Sequence, residues 1–384
     1  MKIVPGNRIT LYKNGASLFP AMIAAIDAAT IDVRIETYIF EDDVSGRMIA
    51  DALSRAAYRG VAVRLLVDGF GTVNVPEPFF DGMQAAGVKL LVYRPVRGKW
   101  FPTRHRMRRA HRKIALVDGK VGFVGGINFI DDFHHNLSDT APRFDYAVEV
   151  RGPVLADVYE SVNRLWRNTQ LFSNQRTRGG GVLSEVSPEV QGEASLAFVS
   201  RDNARHRRNI ERAYRAAIKA AKTEVLIAVS YFLPGRRLRQ TLLAAARRGV
   251  RVEILLQGAA DHPLMQLATE AMYAQLLEAG VVIYEYEAAM LHAKVAVIDQ
   301  RWATVGSSNL DPFSLLLNRE ANIVALDAGF ASVLRASLKD EISRNAHQMD
   351  PSVWQQRSWM HRVSSWLALA LTRVTSFLVG ALDE

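Results

Sequence analysis

The sequence predicts an α/β protein built from two tandem, homologous halves, and three observations lead there. A composite motif, His111-x-Lys113-x4-Asp118-x9-Asn128, returns as His292-x-Lys294-x4-Asp299-x9-Asn309, with every member displaced by 181 residues. Two flanking landmarks repeat as well: Ala56-Ala57-Tyr58-Arg59-Gly60-Val61 returns as Ala245-Ala246-Arg247-Arg248-Gly249-Val250, and Ala86-Gly87-Val88 as Ala279-Gly280-Val281. Finally, β-branched and aliphatic runs alternate with segments of helical periodicity, the pattern of layered sheet and helix. A repeat this long means two fused domain-sized units rather than a solenoid. With 384 residues and 49% apolar content, the chain has enough material for two cores.

The first half reads as strands over 9–12, 31–40, 61–67, 88–92, 111–117, 121–124 and 146–151, each a short apolar run bounded by turn residues. Between them, helical spacing of apolar residues marks 18–28, 45–58, 79–86 and 153–166. The second half repeats the order, starting with a strand over 196–200 and helices over 206–221, 237–247 and 263–278. Its motif strand is 292–298, and it closes with a helix over 331–345. The stretch 173–194, with Gly179-Gly180-Gly181 and scattered Ser, Pro and Gln, predicts a linker. The expected organisation is therefore a first domain over 1–172, that linker, a second domain over 195–350, and a tail over 351–384.

The halves differ ahead of the motif: Gly87 lies 24 residues before His111, whereas Gly280 lies 12 before His292. The extra 12 residues fall within 94–110, which holds Arg94, Arg97, Lys99, Arg104, Arg106, Arg108 and Arg109 with Trp100 and Phe101 and no acid. Such a surface suits anionic headgroups. In the tail, Trp359, Val363, Trp366, Ala370 and Val374 recur at helical spacing, with Arg362, Ser365, Thr372 and Arg373 on the opposite face. A bilayer span needs about 20 nearly uninterrupted apolar residues. Two arginines interrupt this one, so a helix lying in the membrane surface is expected, the alternative being a terminal helix packed on the protein's own core.

Without cysteine the chain has neither disulfides nor thiolate metal sites. A formal net charge of +9 favours polyanionic partners, nucleic acid or anionic lipid, without choosing between them. The first nine residues show no long apolar run, so neither a signal peptide nor an amino-terminal anchor is expected.

Side chains two apart on a strand share a face, so His111 with Lys113, and His292 with Lys294, are expected to project together. Two imidazoles beside one phosphorus supply a nucleophile and a proton donor, and they titrate as a coupled pair, one neutral and one protonated. The lysines, Asn128, Asn309 and the small-residue steps Gly125-Gly126 and Gly306-Ser307 suit a cradle for phosphoryl oxygens. Asp118 and Asp299 each begin a turn and are read as supports that hold backbone amides. Asp145 and Glu320 lie 34 and 28 residues after the histidines of their own halves and open the next strand, which makes them the natural orienting carboxylates. No His-x3-His or carboxylate cluster flanks the motifs and the lysines repel cations, so no metal and no cofactor is expected.

The doubled His-x-Lys-x4-Asp pattern resembles the phospholipase D superfamily over roughly residues 5 to 345. Glu36-Thr37-Tyr38-Ile39-Phe40-Glu41-Asp42-Asp43, Trp302-Ala303-Thr304-Val305-Gly306-Ser307-Ser308-Asn309-Leu310-Asp311-Pro312 and Asn318-Arg319-Glu320-Ala321-Asn322 resemble bacterial cardiolipin synthases, in particular the type without amino-terminal membrane helices. The resemblance implies two α-β-α sandwich domains related by a pseudo-twofold axis. It also implies transfer of a phosphatidyl group between two phosphatidylglycerol molecules through a phosphatidyl-histidine, giving cardiolipin and glycerol. In that scheme His111 is the nucleophile, His292 the acid and then the base, and Lys113, Lys294, Asn128, Asn309 and Ser307 serve the phosphate. The alternative within the superfamily is a phospholipase D or nuclease that uses water. The tryptophan-rich tail favours lipid over nucleic acid, with 94–110 and 351–384 as contacts to an anionic membrane surface. The implied location is peripheral, on the cytoplasmic side of a bacterial inner membrane. Both motifs lie in one chain, so a monomer suffices for one site.

Overall fold

The computed structural model describes residues 1–96, 107–134, 138, 140–173, 184–258, 263–352 and 358–380. In the first half the strands are β1 (Val4–Lys13), β2 (Asp32–Thr37), β3 (Ala62–Asp68), β4 (Lys89–Tyr93), β5 (Lys113–Val117), β6 (Val121–Gly125) and β7 (Tyr146–Arg151). Its helices are α1 (Asn14–Asp27), α2 (Val44–Tyr58), α3 (Glu77–Ala85) and α4 (Leu155–Ser173). The second half has β8 (Ala194–Arg201), β9 (Glu224–Val229), β10 (Arg251–Gln257), β11 (Val282–Tyr286), β12 (Lys294–Ile298), β13 (Trp302–Gly306) and β14 (Glu320–Leu326). A short β15 (Ala346–Gln348) has no first-half counterpart. The second-half helices are α5 (Asn209–Ala220), α6 (Arg236–Arg247), α7 (Pro263–Glu270), α8 (Tyr273–Glu278), α9 (Ala328–Asn345) and the terminal α10 (Trp359–Gly380).

The duplication is explicit in the sheet order. From β1 outward the strands run β7, β6, β5, β2, β3, β4, and from β8 outward they run β14, β13, β12, β9, β10, β11. The two series join where β1 pairs antiparallel with β8, at Val4 with Leu196 and Asn7 with Ala194. An antiparallel join between equivalent strands is what a twofold axis through the sheet requires.

Strand alternation sorts the cores. On β9, Val225, Ile227 and Val229 face α5 and α6, while Leu226 and Ala228 point the other way. Those inner residues meet Ile114, Leu116, Val148 and Val150 of the first half in an apolar layer shared by both halves, flanked by Val158 and Val162 of α4 and Leu334 and Leu338 of α9. In the first half, Val33, Ile35, Val63 and Leu65 face Leu18, Ile26, Ile49 and Leu53 of α1 and α2. Because both faces of these strands are covered, β5, β6, β12 and β13 are buried at every residue and read as continuous apolar runs.

Three expectations shift. The helix expected over 263–278 is broken into α7 and α8 by a turn at Ala271 and Met272. Residues 97–106 of the basic segment and 174–183 of the linker lie outside the described residues; the rest of the linker, from Ser184, runs against the first half, with the Ser187 amide donating to the Gly119 carbonyl at 3.3 Å. The third shift concerns the tail. Helix α10 packs on α7 through Ser365, Ala368, Leu369 and Thr372, and leaves Trp359, Met360, Val363, Trp366, Leu367, Leu371 and Val374 exposed. The hydroxyl-bearing side, expected to face solvent, is the side that docks. Small residues let the helix approach closely, and Thr372 satisfies its hydroxyl on the Ala368 carbonyl at 2.8 Å. His361 Nε2 meets Glu270 Oε2 at 2.7 Å and fastens the start of α10.

Candidate active site

The motif strands begin later than the spacing suggests. β5 starts at Lys113 and β12 at Lys294, so the histidines sit just ahead of their strands. Each is held by the opposite half instead. The Arg319 amide donates to the Arg109 carbonyl at 2.8 Å and the His111 amide to the Arg319 carbonyl at 3.0 Å. Across the axis, the Phe144 amide donates to the Met290 carbonyl at 2.9 Å and the His292 amide to the Phe144 carbonyl at 2.8 Å. These two isolated parallel bridges, Ala110 with Arg319 and Phe144 with Leu291, bring both motifs to one place between the halves.

The side chains cross the axis too. His111 Nδ1 lies 3.1 Å from both carboxylate oxygens of Glu320, and His292 Nδ1 lies 2.6 Å from Asp145 Oδ2. The expectation paired each histidine with the carboxylate of its own half, and the structure exchanges the partners. The reason is topological: Phe144 and Arg319, the neighbours of these carboxylates, are the residues whose backbone bridges to the other half. In both imidazoles Nδ1 is engaged, which leaves Nε2 for chemistry.

Lys113 Nζ donates to the His111 carbonyl at 2.9 Å, and Lys294 Nζ donates to the His292 carbonyl and stands 4.0 Å from Asp145. Burial pushes Lys113 down to about 7 and Lys294 to about 8, against the pull of Glu320 and Asp145 respectively. Burial likewise raises Asp145 to about 7 against the opposing field of Lys294. His111 is lowered by burial, partly offset by Glu320, and His292 is lowered well below the ordinary range by burial and then by both lysines and Arg143. Without a bound phosphate, burial disfavours the cation on both rings.

Among the supporting residues, Asn128 Oδ1 accepts from the Ile39 amide at 3.2 Å, and Asn309 is buried at the matched position. Neither Nδ2 donates to a protein group among the described residues. Gly126 and Ser307 occupy equivalent places with different uses. A Cβ at Gly126 would come within 2.4 Å of the Asp145 carboxylate, whereas the Ser307 hydroxyl donates to Glu320. The small-residue step thus makes room for, or contacts, the orienting carboxylates.

Asp118 and Asp299 do not face the histidines; they stand at the far ends of β5 and β12. Asp118 accepts from the Thr30, Ile31 and Asp32 amides and the Thr30 hydroxyl at 2.8 to 2.9 Å. Asp299 accepts from Lys222, Thr223 and Glu224 in the same way at 2.8 to 3.0 Å. Both have left-handed backbone, at φ 49° and 50°, which aspartate tolerates better than most residues. Burial pushes the Asp118 pKa up, but the amides outweigh it and hold the carboxyl below its usual value.

Sequence reasoning missed a further matched pair. Asp68 Oδ2 accepts from the Ala110 amide at 2.8 Å, and Gln257 Oε1 accepts from the Leu291 amide. Each therefore grips the residue that precedes a motif histidine. They end β3 and β10 with the same 189-residue displacement as the Ala56 and Ala245 landmarks, so aligning the halves strand by strand would have found them. Tyr38 also stands at the site. Its ring stands edge-on to His111 with centroids 4.9 Å apart, and Lys113 Nζ lies 5.3 Å from its centre.

Comparison with known proteins now decides the family. The family described as "Cardiolipin synthase, PLD-like domain" matches residues 22–166 and 214–342, which include both motifs and both crossed carboxylates. The chain belongs to this cardiolipin synthase PLD-like family. It is 39% identical to cardiolipin synthase B of Salmonella typhimurium and 38% identical to cardiolipin synthase B of Escherichia coli, covering 98% of this chain and 90% of each relative. The minor cardiolipin synthase ClsB of Bacillus subtilis is 29% identical over 95% of this chain and 88% of its own length. Among solved structures, phosphatidylserine synthase of Haemophilus influenzae superposes with a TM-score of 0.70 at 13% identity, covering 97% of this chain and 94% of that one. That likeness establishes a shared fold. The PLD-like family assignment and the mirrored strand order agree on a duplicated α/β architecture.

Proposed function

We propose that the chain is a phosphatidyltransferase that makes cardiolipin and glycerol from two molecules of phosphatidylglycerol. The observation that supports it most is the crossed pairing, which places two Nε2 atoms, each with its Nδ1 held by a carboxylate, at one site beside two buried lysines. His111 Nε2 attacks phosphorus and His292 Nε2 delivers a proton to the departing glycerol, leaving a phosphatidyl-histidine. The glycerol hydroxyl of a second phosphatidylglycerol then gives its proton to His292 and attacks phosphorus, breaking the bond to His111. Lys113, Lys294 and the free amide nitrogens of Asn128 and Asn309 hold the nonbridging oxygens. A phosphodiester monoanion between the lysines adds the negative charge that favours the His292 cation, so His292 takes up a proton from solvent as the substrate binds.

Incubating the purified protein with phosphatidylglycerol vesicles and resolving the products tests this reading. Cardiolipin with released glycerol supports it. Phosphatidic acid alone makes the protein a hydrolase, and vesicle binding without turnover makes it a lipid-binding module.

In this reading residues 1–172 and 195–350 are the two catalytic halves, 173–194 joins them, and 351–384 meets the membrane. Among the described residues no helix is long and apolar enough to cross a bilayer. The support for an in-plane contact is the exposed Trp359, Val363, Trp366, Leu367, Leu371 and Val374 face of α10, with Arg373 near Arg239. The proposed place of action is the surface of a bacterial inner membrane, on its cytoplasmic side, with 94–110 as a second basic contact; a monomer suffices. Substituting Trp359 and Trp366 by glutamate should sharply reduce co-sedimentation with anionic vesicles while turnover of detergent-dispersed substrate changes little. Equal losses in both assays would remove the helix from the membrane contact.

The pH dependence follows from the buried charges. Asp145, raised to about 7, is ionised only above that value, while Lys113, lowered to about 7, is charged only below it. The profile of kcat/KM should therefore be a narrow bell centred near pH 7. Lys113→Arg keeps its proton and should carry the alkaline limb toward that of Lys294, near 8. A limb that stays in place would exclude Lys113 as its origin.

A further inference from the structure

The motif histidines lie outside their strands, so something other than strand register must fix where each imidazole starts. In both halves the candidate is the last residue of the third strand. Asp68 is fully buried; its Oδ2 accepts from the Ala110 amide at 2.8 Å, and its Oδ1 accepts from the Phe70 amide at 2.9 Å and faces Arg109 Nη1 at 3.5 Å. Gln257 does the same work with an amide: Oε1 accepts from the Leu291 amide and Nε2 donates to the Ala289 carbonyl at 3.4 Å. These are equivalent positions, yet one is a carboxylate and the other neutral.

We propose that Asp68 and Gln257 are the positioning residues of the two histidines, each setting the approach of one imidazole through the backbone of the preceding residue. This rests on the reading of His111 and His292 as the reacting pair. The grip falls one peptide from each histidine, and the same peptides form the bridges to the other half through Arg109 and Arg319 and through Phe144 and Leu291. Losing an acceptor there frees a buried amide and loosens the segment at the point where the halves meet. A displacement of about 1 Å at a reacting atom costs on the order of 100-fold in rate. Arg109 faces Asp68 across the ion pair, whereas the neutral Gln257 has no such partner in its role.

The test compares Asp68→Ala with Asp68→Asn, and Gln257→Ala with Gln257→Glu, in the full chain. Removing the acceptor should lower kcat by about 10- to 100-fold with little change in KM. Asparagine at 68 retains an acceptor and should restore most of kcat. A second readout does not depend on turnover: carbethoxylation of His111 relative to His292 by diethyl pyrocarbonate, followed by peptide mass spectrometry. Asp68→Ala should change that ratio severalfold and Gln257→Ala should change it in the opposite sense. If the wild-type protein turns over no phosphatidylglycerol but the labelling ratios shift as stated, the functional reading fails and the positioning stands. Unchanged ratios and kcat in the alanine variants would overturn the proposal. A global fold defect would show instead as equal changes at both histidines and a lost melting transition, with no rescue by asparagine, and would also overturn it.

Discussion

Alanine at His111 is expected to abolish turnover of phosphatidylglycerol, by at least about 10⁴-fold, and to remove the lipid adduct expected on the wild-type protein after quenching in neutral denaturant, a phosphorus–nitrogen bond being labile in acid. Alanine at His292 is expected to be equally damaging with the natural substrate, for a different reason: glycerol is a poor leaving group without a proton donor. A phosphatidyl ester of p-nitrophenol separates the two roles. Its phenolate departs unaided, so His292→Ala should release about one equivalent of nitrophenolate in a burst and then stall, because the incoming alcohol lacks a base. His111→Ala should release none. A burst in the His111 variant and none in the His292 variant would exchange the roles. The geometry that makes the experiment informative is the engagement of both Nδ1 atoms by carboxylates, which leaves a single nitrogen on each ring for reaction.

The second large effect concerns those carboxylates, and its sign depends on the crossing. Asp145→Asn should behave like loss of His292, retaining the nitrophenolate burst and losing later turnover, although Asp145 belongs to the half that contains His111. Glu320→Gln should slow the burst itself, because it orients His111. Each substitution replaces the acceptor of an imidazole proton and is expected to cost roughly 10²- to 10⁴-fold in the step its histidine serves. Within-half pairing requires the opposite assignment. Ser307→Ala provides a graded companion: it removes only the hydroxyl that donates to Glu320, so a smaller loss in the burst step is expected.

Much of this was legible in the letters. The repeat located two halves, alternating apolar runs located most strands within a few residues, and the doubled motif named His111, His292, Lys113 and Lys294. Asp118 and Asp299 were readable as turn supports because a carboxylate that starts a tight turn ordinarily binds local amides. The grip of Asp68 and Gln257 was not legible. Before the halves are aligned strand by strand, an aspartate and a glutamine at strand ends look like surface punctuation. Nor was the docking face of α10, where helical periodicity showed two faces without saying which meets protein. The apolar face, normally the buried one, is outward, and the side with Ser365 and Thr372 is inward.

By itself the sequence determined the duplicated α/β plan, the residue types of the site and their local spacing, because strand alternation, helical periodicity and turn chemistry are short-range properties of the chain. Tertiary structure alone decided which carboxylate serves which imidazole. Glu320 and His111 are 209 residues apart, and Asp145 and His292 are 147 apart. These contacts exist because β1 and β8 pair across the pseudo-twofold axis and the two halves bury a common apolar layer, which carries the segments leading into β7 and β14 to the opposite half. No local periodicity encodes that exchange; it follows from packing two equivalent surfaces against each other.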